Sequence, residues 1–154
     1  MSKRIDDAER IAIERACEQL IYAYARALDL GNLSAAADMF AENASMTRPM
    51  SPNQVIQGRE AIRAALLTRP KTLLTKHVTS NVAVQVESAE SASSLSYLTM
   101  IACTPGAGDQ PPFLSNGPIY FAEFKDRFVR EQGAWKFEQR HGSIQIKFGG
   151  AAPA

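Results

Sequence analysis

The amino-acid sequence predicts an α+β fold in which helices cover one face of a curved antiparallel sheet. Three observations predict it: helical periodicity dominates the chain up to Leu67, four long β-branched or aromatic stretches follow Lys71, and turn chemistry separates those stretches. A strongly curved sheet closed by a long helix on its concave side makes a cone with a blind pocket, where small ligands settle.

The elements follow in order. From Asp6 or Asp7 the apolar positions Ile13, Cys17, Leu20, Ile21, Tyr24, Ala27 and Leu28 keep the three-and-four spacing of one helical face. Acidic capping residues start this helix and Gly31 stops it. Asp29 sits two residues before Gly31, where the helix dipole disfavours negative charge by ~0.3–1 kcal/mol, so its carboxylate needs a compensating partner. Asn32 is placed to cap a second short helix, Leu33 to Phe40. A short strand, Ala44 to Thr47, and another, Gln54 to Gln57, flank a break at Pro49, Ser51, Pro52 and Asn53. Gly58 introduces a third helix, Arg59 to Leu67, which Pro70 prevents from continuing.

The four long strands are expected over Leu73 to Val86, Ser93 to Cys103, Pro118 to Val129 and Ala134 to Phe148, with Glu131–Gln132–Gly133 the clearest hairpin signal. Thr104 to Gly117, rich in Gly and Pro, is expected to be a mobile rim loop. The tail GGAAPA is expected to fray, leaving one domain over 1–154 with its core at 6–148.

Composition narrows the function. With Lys+Arg 17 against Asp+Glu 16, the formal net charge of +1 offers no electrostatic footprint for nucleic acid or an anionic membrane. The charged N-terminal stretch is neither a signal peptide nor a membrane span, so a cytoplasmic location is expected. Cys17 and Cys103 stand apart, with no ligand spacing beside them, so they are expected to be reduced thiols, with neither metal nor cofactor.

The two histidines carry the chemistry. In Leu73 to Val86, Leu74, Val78, Val82, Val84 and Val86 form the more apolar face, while Thr75, His77, Thr79 and Asn81 share the other. If that second face lines the pocket, His77 can reach Asp29. A carboxylate that accepts the Nδ1 proton of a histidine fixes its tautomer and leaves the other nitrogen ready to act as a general base. Alternatively, His77 is a structural residue and Asp29 bonds Arg26 or the amides at Asn32. Tyr24 lies on the apolar helix face, either as a phenol donor or as satisfied core.

In the last strand, Arg140 and His141 precede Gly142, and a glycine there suggests a bulge that turns one of the two into the cavity. Arg140 could hold an anionic group or stabilise an enolate, or lie exposed beside Glu138 or Glu123; His141 could act as a second acid. Arg48 reads as solvated surface. Met46, Met50, Met100 and Phe113 read as adaptable packing, and Glu123 to Arg127 as an outer face that is solvated or used for self-association.

The segments YARALDLGN, AAADMFAENAS, GREAIRAAL, KHVTSNVAV and GAWKFEQRH resemble, in this order, the SnoaL-like branch of the nuclear-transport-factor-two-like superfamily, over Ile11 to Phe148. The resemblance implies a cone-shaped, cystatin-like fold with a long N-terminal helix and two shorter ones. It also implies cofactor-independent lyase or isomerase chemistry of the dehydratase, cyclase or dehydrohalogenase kind on a small, apolar, oxygenated or aromatic substrate. By this resemblance Asp29 orients His77 as the base, Tyr24 donates to a substrate oxygen, and Arg140 and His141 are candidates for substrate binding. A homodimer through the sheet is the implied assembly. The alternative is a non-catalytic binding or assembly protein, such as a trimer-forming small subunit related to those of ring-hydroxylating dioxygenases. Neither the base and oxyanion donors of a ketosteroid isomerase nor the Asp–Arg–Asp set of limonene epoxide hydrolase can be traced.

Overall fold

In the computed structural model, residues 5–115 and 117–149 are described. The first element is α1 (Asp7–Asp29). Asp6 caps it, its carboxylate accepting from the Glu9 amide at 2.8 Å. Gly31, at φ 73°, ends it. The left-handed turn lets the Asn32 amide donate to the Ala27 carbonyl at 2.8 Å and the Gly31 amide to Leu28 at 3.2 Å. These two bonds form a Schellman motif, which satisfies the last carbonyls and leaves Asp29 in the final helical position.

The next helix, α2 (Leu33–Asp38), is shorter than its sequence predicts, and the Asn32 side chain makes no capping bond to it. Phe40, expected to end that helix, instead opens β1 (Phe40–Arg48), where its fully buried ring packs at 5.6 Å from Tyr24 and 5.2 Å from Phe137. Tertiary packing of the ring outweighs the helical propensity of the preceding alanines. A turn at Pro49–Met50 leads to β2 (Ser51–Gln57), so both strands are longer than expected. Then come α3 (Arg59–Leu67), β3 (Leu74–Ser88), β4 (Ser91–Cys103), β5 (Ile119–Glu131) and β6 (Ala134–Phe148). Gln132 and Gly133, at φ 52° and 82°, form the two-residue hairpin between β5 and β6.

The sheet has the order β2-β1-β6-β5-β4-β3 and curves around the helices. It is mixed rather than wholly antiparallel, because β1 and β6 pair in parallel. Ile21, Phe40, Ile62, Phe128 and Phe137 fill the core between the layers. Cys17 is buried there too, and burial pushes its thiol up to about 12, which keeps it protonated. Cys103 is free and half-buried.

Two irregularities decide which residues face inward. In β3 the pairing slips between Ser80 and Ala83, where Asn81 adopts φ 50°. Before this bulge the odd positions Thr75, His77 and Thr79 point in; after it the even positions Val82, Val84 and Val86 do. A one-residue insertion exchanges the faces of everything beyond it. The expectation of one apolar face along the whole strand is therefore corrected: Leu74 and Val78 are 37% and 55% exposed.

The second slip lies in β6, between the Gln139–Arg127 and Phe137–Phe128 pairs, so Glu138 is the extra residue. Without it Phe137, Gln139 and His141 would share a face; with it Arg140 follows Phe137 inward. Gly142 is not itself at a bulge but pairs in register with Phe124. A Cβ there would lie 2.5 Å from the Phe124 ring and 2.8 Å from Pro49, so close packing is what requires glycine.

Candidate active site

Asp29 and His77 meet where the end of α1 crosses the first half of β3. The Thr75 hydroxyl donates to Asp29 Oδ1 at 2.9 Å, the His77 amide donates to Asp29 Oδ2 at 2.9 Å, and His77 Nδ1 lies 2.5 Å from Oδ1. Their side chains are 7% and 13% exposed for His77 and Asp29 respectively. Burial pushes the Asp29 carboxyl up, but the bonds from the His77 amide, its imidazole and Thr75 outweigh that and hold it below the usual value. Burial likewise holds the His77 imidazole below its ordinary value, against the opposing pull of Asp29. An ionised carboxylate thus faces a neutral imidazole. The hydrogen-bond network assigns the imidazole proton to Nδ1, which leaves Nε2 with its lone pair. Arg26 makes no bond to Asp29 among the described residues; Arg69 instead donates to the Thr75 hydroxyl, which in turn donates to Asp29.

His77 lines a cavity of about 340 Å³, whose walls include Tyr24, Met46, Leu98, Met100, Phe124 and Arg140. Its size lies within the roughly 300–1,000 Å³ of small-molecule pockets. Tyr24 is 6% exposed, with its hydroxyl 3.7 Å from Met46 Sδ and its ring edge-on to Phe40 and Phe137. Burial raises its phenol above the ordinary value, which keeps a proton available to donate.

Arg140 is not the exposed rim cation that was one expectation. It is 2% exposed, its Nη1 donates to Asp126 Oδ2 at 2.5 Å, and its guanidinium carbon lies 4.2 Å from the Phe124 ring centre and 4.9 Å from that of Tyr24. Its Nη2 has no protein partner among the described residues. Asp126 corrects the expectation of an outer face for Glu123 to Arg127, since it is 2% exposed and points inward. The clue was in the pattern: Asp126 shares the phase of Phe124 and Phe128, while Glu123, Lys125 and Arg127 share the other.

His141 points away from the cavity, because the Glu138 bulge gives the inward place to Arg140. It lines a separate hollow with Glu123 and Lys125, and its Nε2 lies 3.0 Å from the Ser45 hydroxyl. A role for His141 as a second acid in the main cavity is therefore ruled out. Arg48, expected on solvated surface, is exposed but lines the cavity mouth, as does Arg69, which the sequence did not single out. Among the described residues no group of three metal-ligating side chains occurs, and no helix is long and apolar enough to cross a membrane.

A search among curated proteins gave no match. Among solved structures, the chain is similar to a scytalone-dehydratase-like protein of Novosphingobium aromaticivorans, with TM-score 0.79 and 22% identity over 97% of this chain and 95% of the other. It is also similar to a hexachlorocyclohexane dehydrochlorinase of type 2, with TM-score 0.75 and 16% identity over 97% of each chain. A third, ActVI-ORFA of Streptomyces coelicolor, gives TM-score 0.68 and 17% identity over 86% of this chain and 97% of the other. At these identities the likeness is one of fold. The model of the SnoaL-like domain matches residues 9–141, nearly the whole described core, and the chain therefore belongs to the SnoaL-like family of the nuclear-transport-factor-two-like superfamily.

Proposed function

We propose that this chain is a cofactor-independent lyase or isomerase acting by general acid–base chemistry on a small, mostly apolar, oxygenated or aromatic substrate. The observation that carries the reading is the 2.5 Å contact between Asp29 Oδ1 and the Nδ1 of a histidine that lines an apolar cavity. His77 Nε2 takes a proton from a carbon beside a carbonyl, and the electron pair moves onto the carbonyl oxygen. Tyr24 donates to that oxygen, and Arg140 Nη2 stabilises its charge. The imidazolium, stabilised meanwhile by Asp29, then returns its proton either to another carbon of a conjugated enolate or to a β-hydroxyl that departs as water with its bonding pair, which restores the neutral imidazole. The match to the SnoaL-like family, together with the fold shared with structures named for a scytalone dehydratase and a dehydrochlorinase, supports the reaction class.

The test is incorporation of solvent deuterium into a panel of enolisable ketones and β-hydroxyketones. His77→Ala and Asp29→Asn are each expected to lower the rate by about 10²–10⁴-fold with little change in thermal unfolding. Because His77 is held below its ordinary 6.5, the wild-type rate is expected to stay level near neutrality and to fall only as pH drops through that lowered value. Full activity in either variant overturns the base assignment.

We also propose a homodimer through the outer face of the sheet. Val78, Thr99, Phe121 and Ile146 pair in one row across β3 to β6, and Phe121 and Ile146 are 40% and 61% exposed. An apolar row of this kind is covered in a two-fold contact. Light scattering on the isolated chain is expected to give twice the monomer mass, and Phe121→Glu to give the monomer; a trimer, or a monomer in the wild type, favours the subunit reading instead.

A further inference from the structure

The cavity has an unbalanced charge. Its lining includes three arginines, Arg48, Arg69 and Arg140, together with His77, and no carboxylate side chain. The two carboxylates nearest to it lie behind that lining and are already engaged, Asp29 by His77 and Thr75, and Asp126 by Arg140. Arg48 and Arg69 form no ion pair among the described residues. Each is held in place by neutral oxygens: Arg48 donates to the Ala65 carbonyl and, at 3.3 Å, to the Thr68 hydroxyl, and Arg69 donates to the Thr75 hydroxyl. Neutral partners fix the guanidiniums without cancelling their charge. Arg48 is exposed and Arg69 half-buried where the end of α3 meets β1 and β3, which places them at the mouth, whereas Arg140, 2% exposed beside Tyr24 and Phe124, lies at the floor.

We infer that the ligand of this cavity is an organic carboxylate, its anionic group held at the mouth by Arg48 and Arg69 and its apolar body lying inward against Met46, Leu98, Met100 and Phe124. The inference rests on the reading of this cavity as the substrate pocket and adds the class of molecule that enters it. Orientation follows. With the carboxylate fixed at the mouth, the reacting carbon is carried to the depth of His77, and its carbonyl oxygen toward Tyr24 and Arg140.

A carboxylate suits the mouth better than a phosphate. Arg48 and Arg69 commit only Nη2 to the protein, so the remaining N–H groups of each guanidinium are left to pair with a planar carboxylate. The adjacent backbone is the C-terminal end of α3, with Thr68 at its cap, whose carbonyl dipole opposes a dianion more than a monoanion. The lining offers no helix N-terminus to help a phosphate.

Calorimetric titration of the full chain with 2-naphthoate, and with 2-naphthamide as its neutral counterpart, tests this directly. The carboxylate is expected to bind about tenfold tighter than the amide, and added salt is expected to weaken the carboxylate alone. Arg48→Gln should reduce that preference and Arg48→Gln/Arg69→Gln should abolish it, the carboxylate then binding no tighter than the amide. Equal binding of the two probes by the wild type, failure of naphthoate to bind, or a preference that survives in the double variant overturns the inference. His77→Ala keeps the preference if the inference holds, so loss of the base assignment and loss of the anion site are read from different variants.

Discussion

Asp29 accepts hydrogen bonds from a hydroxyl, a backbone amide and an imidazole at the edge of the cavity, whereas Asp126, at 2% exposure in the sheet, accepts one from Arg140 and leaves Oδ1 without a partner. Both sit beside a basic side chain, yet their carboxyls move in opposite directions. Dipoles aimed at Asp29 hold it below the ordinary value, while burial, outweighing the Arg140 partner, pushes Asp126 up to about 6. The comparison separates two uses of a buried acid. Asp29 is arranged to stay charged so that a neutral imidazole keeps one tautomer; Asp126 is arranged to pin a guanidinium among the Tyr24, Phe124 and Phe137 rings.

Removing the basic partner is the largest way to break this comparison. Arg140→Met leaves Asp126 buried with no counter-charge, and urea unfolding near pH 7.5 is expected to show a loss of about 3 kcal/mol. The pH dependence has a definite sign. Asp126 has a folded value above its ordinary 3.8, so its contribution is fully present below that value and is lost as pH rises through about 6. Taking away Arg140, which lowers the folded value, extends the loss to higher pH; at pH 5 the carboxyl is largely protonated and the destabilisation should shrink. Asp126→Asn/Arg140→Met should recover most of the stability at pH 7.5. A loss independent of pH, or a double variant as unstable as Arg140→Met, would mean that the pair contributes packing rather than charge.

Much of this arrangement is legible from local patterns. The three-and-four spacing from Ile13 to Leu28 and the glycine at position 31 place Asp29 at the end of α1, and Gln132–Gly133 marks the last hairpin, because each rests on residues adjacent in the chain. The phase of the strands is harder. Alternation places His77 on the polar side of β3, but it cannot carry past Asn81, and it assigns Leu74 and Val78 to the core although both are exposed. The choice between Arg140 and His141 turned on an extra residue at Glu138, four positions from the glycine that drew attention to it. Arg69 has no local signal at all: it follows a helix, and only the path from α3 into β3 brings it to the Thr75 hydroxyl.

The same bulge that defeats alternation divides β3 into two unlike halves, a polar one carrying Thr75, His77 and Thr79 and an apolar one carrying Val82, Val84 and Val86. Asn81 holds the boundary at φ 50°, a conformation that asparagine tolerates better than residues with larger or branched side chains and that glycine adopts freely. Asn81→Ala is therefore expected to lower stability by about 1 kcal/mol, and Asn81→Gly to change it by less than about 0.5 kcal/mol, in urea unfolding. The effect is the smallest expected, but it bears on the site: strain at the boundary competes with register, and a strand that slips to relieve it turns His77 outward. Retention of the downfield Nδ1 proton of His77 in the NMR spectrum of Asn81→Gly, with its loss or broadening in Asn81→Ala, would show that the backbone at position 81 keeps the two halves in phase. Unchanged signals and stability in both variants would show that the cross-strand pairs hold the register without it.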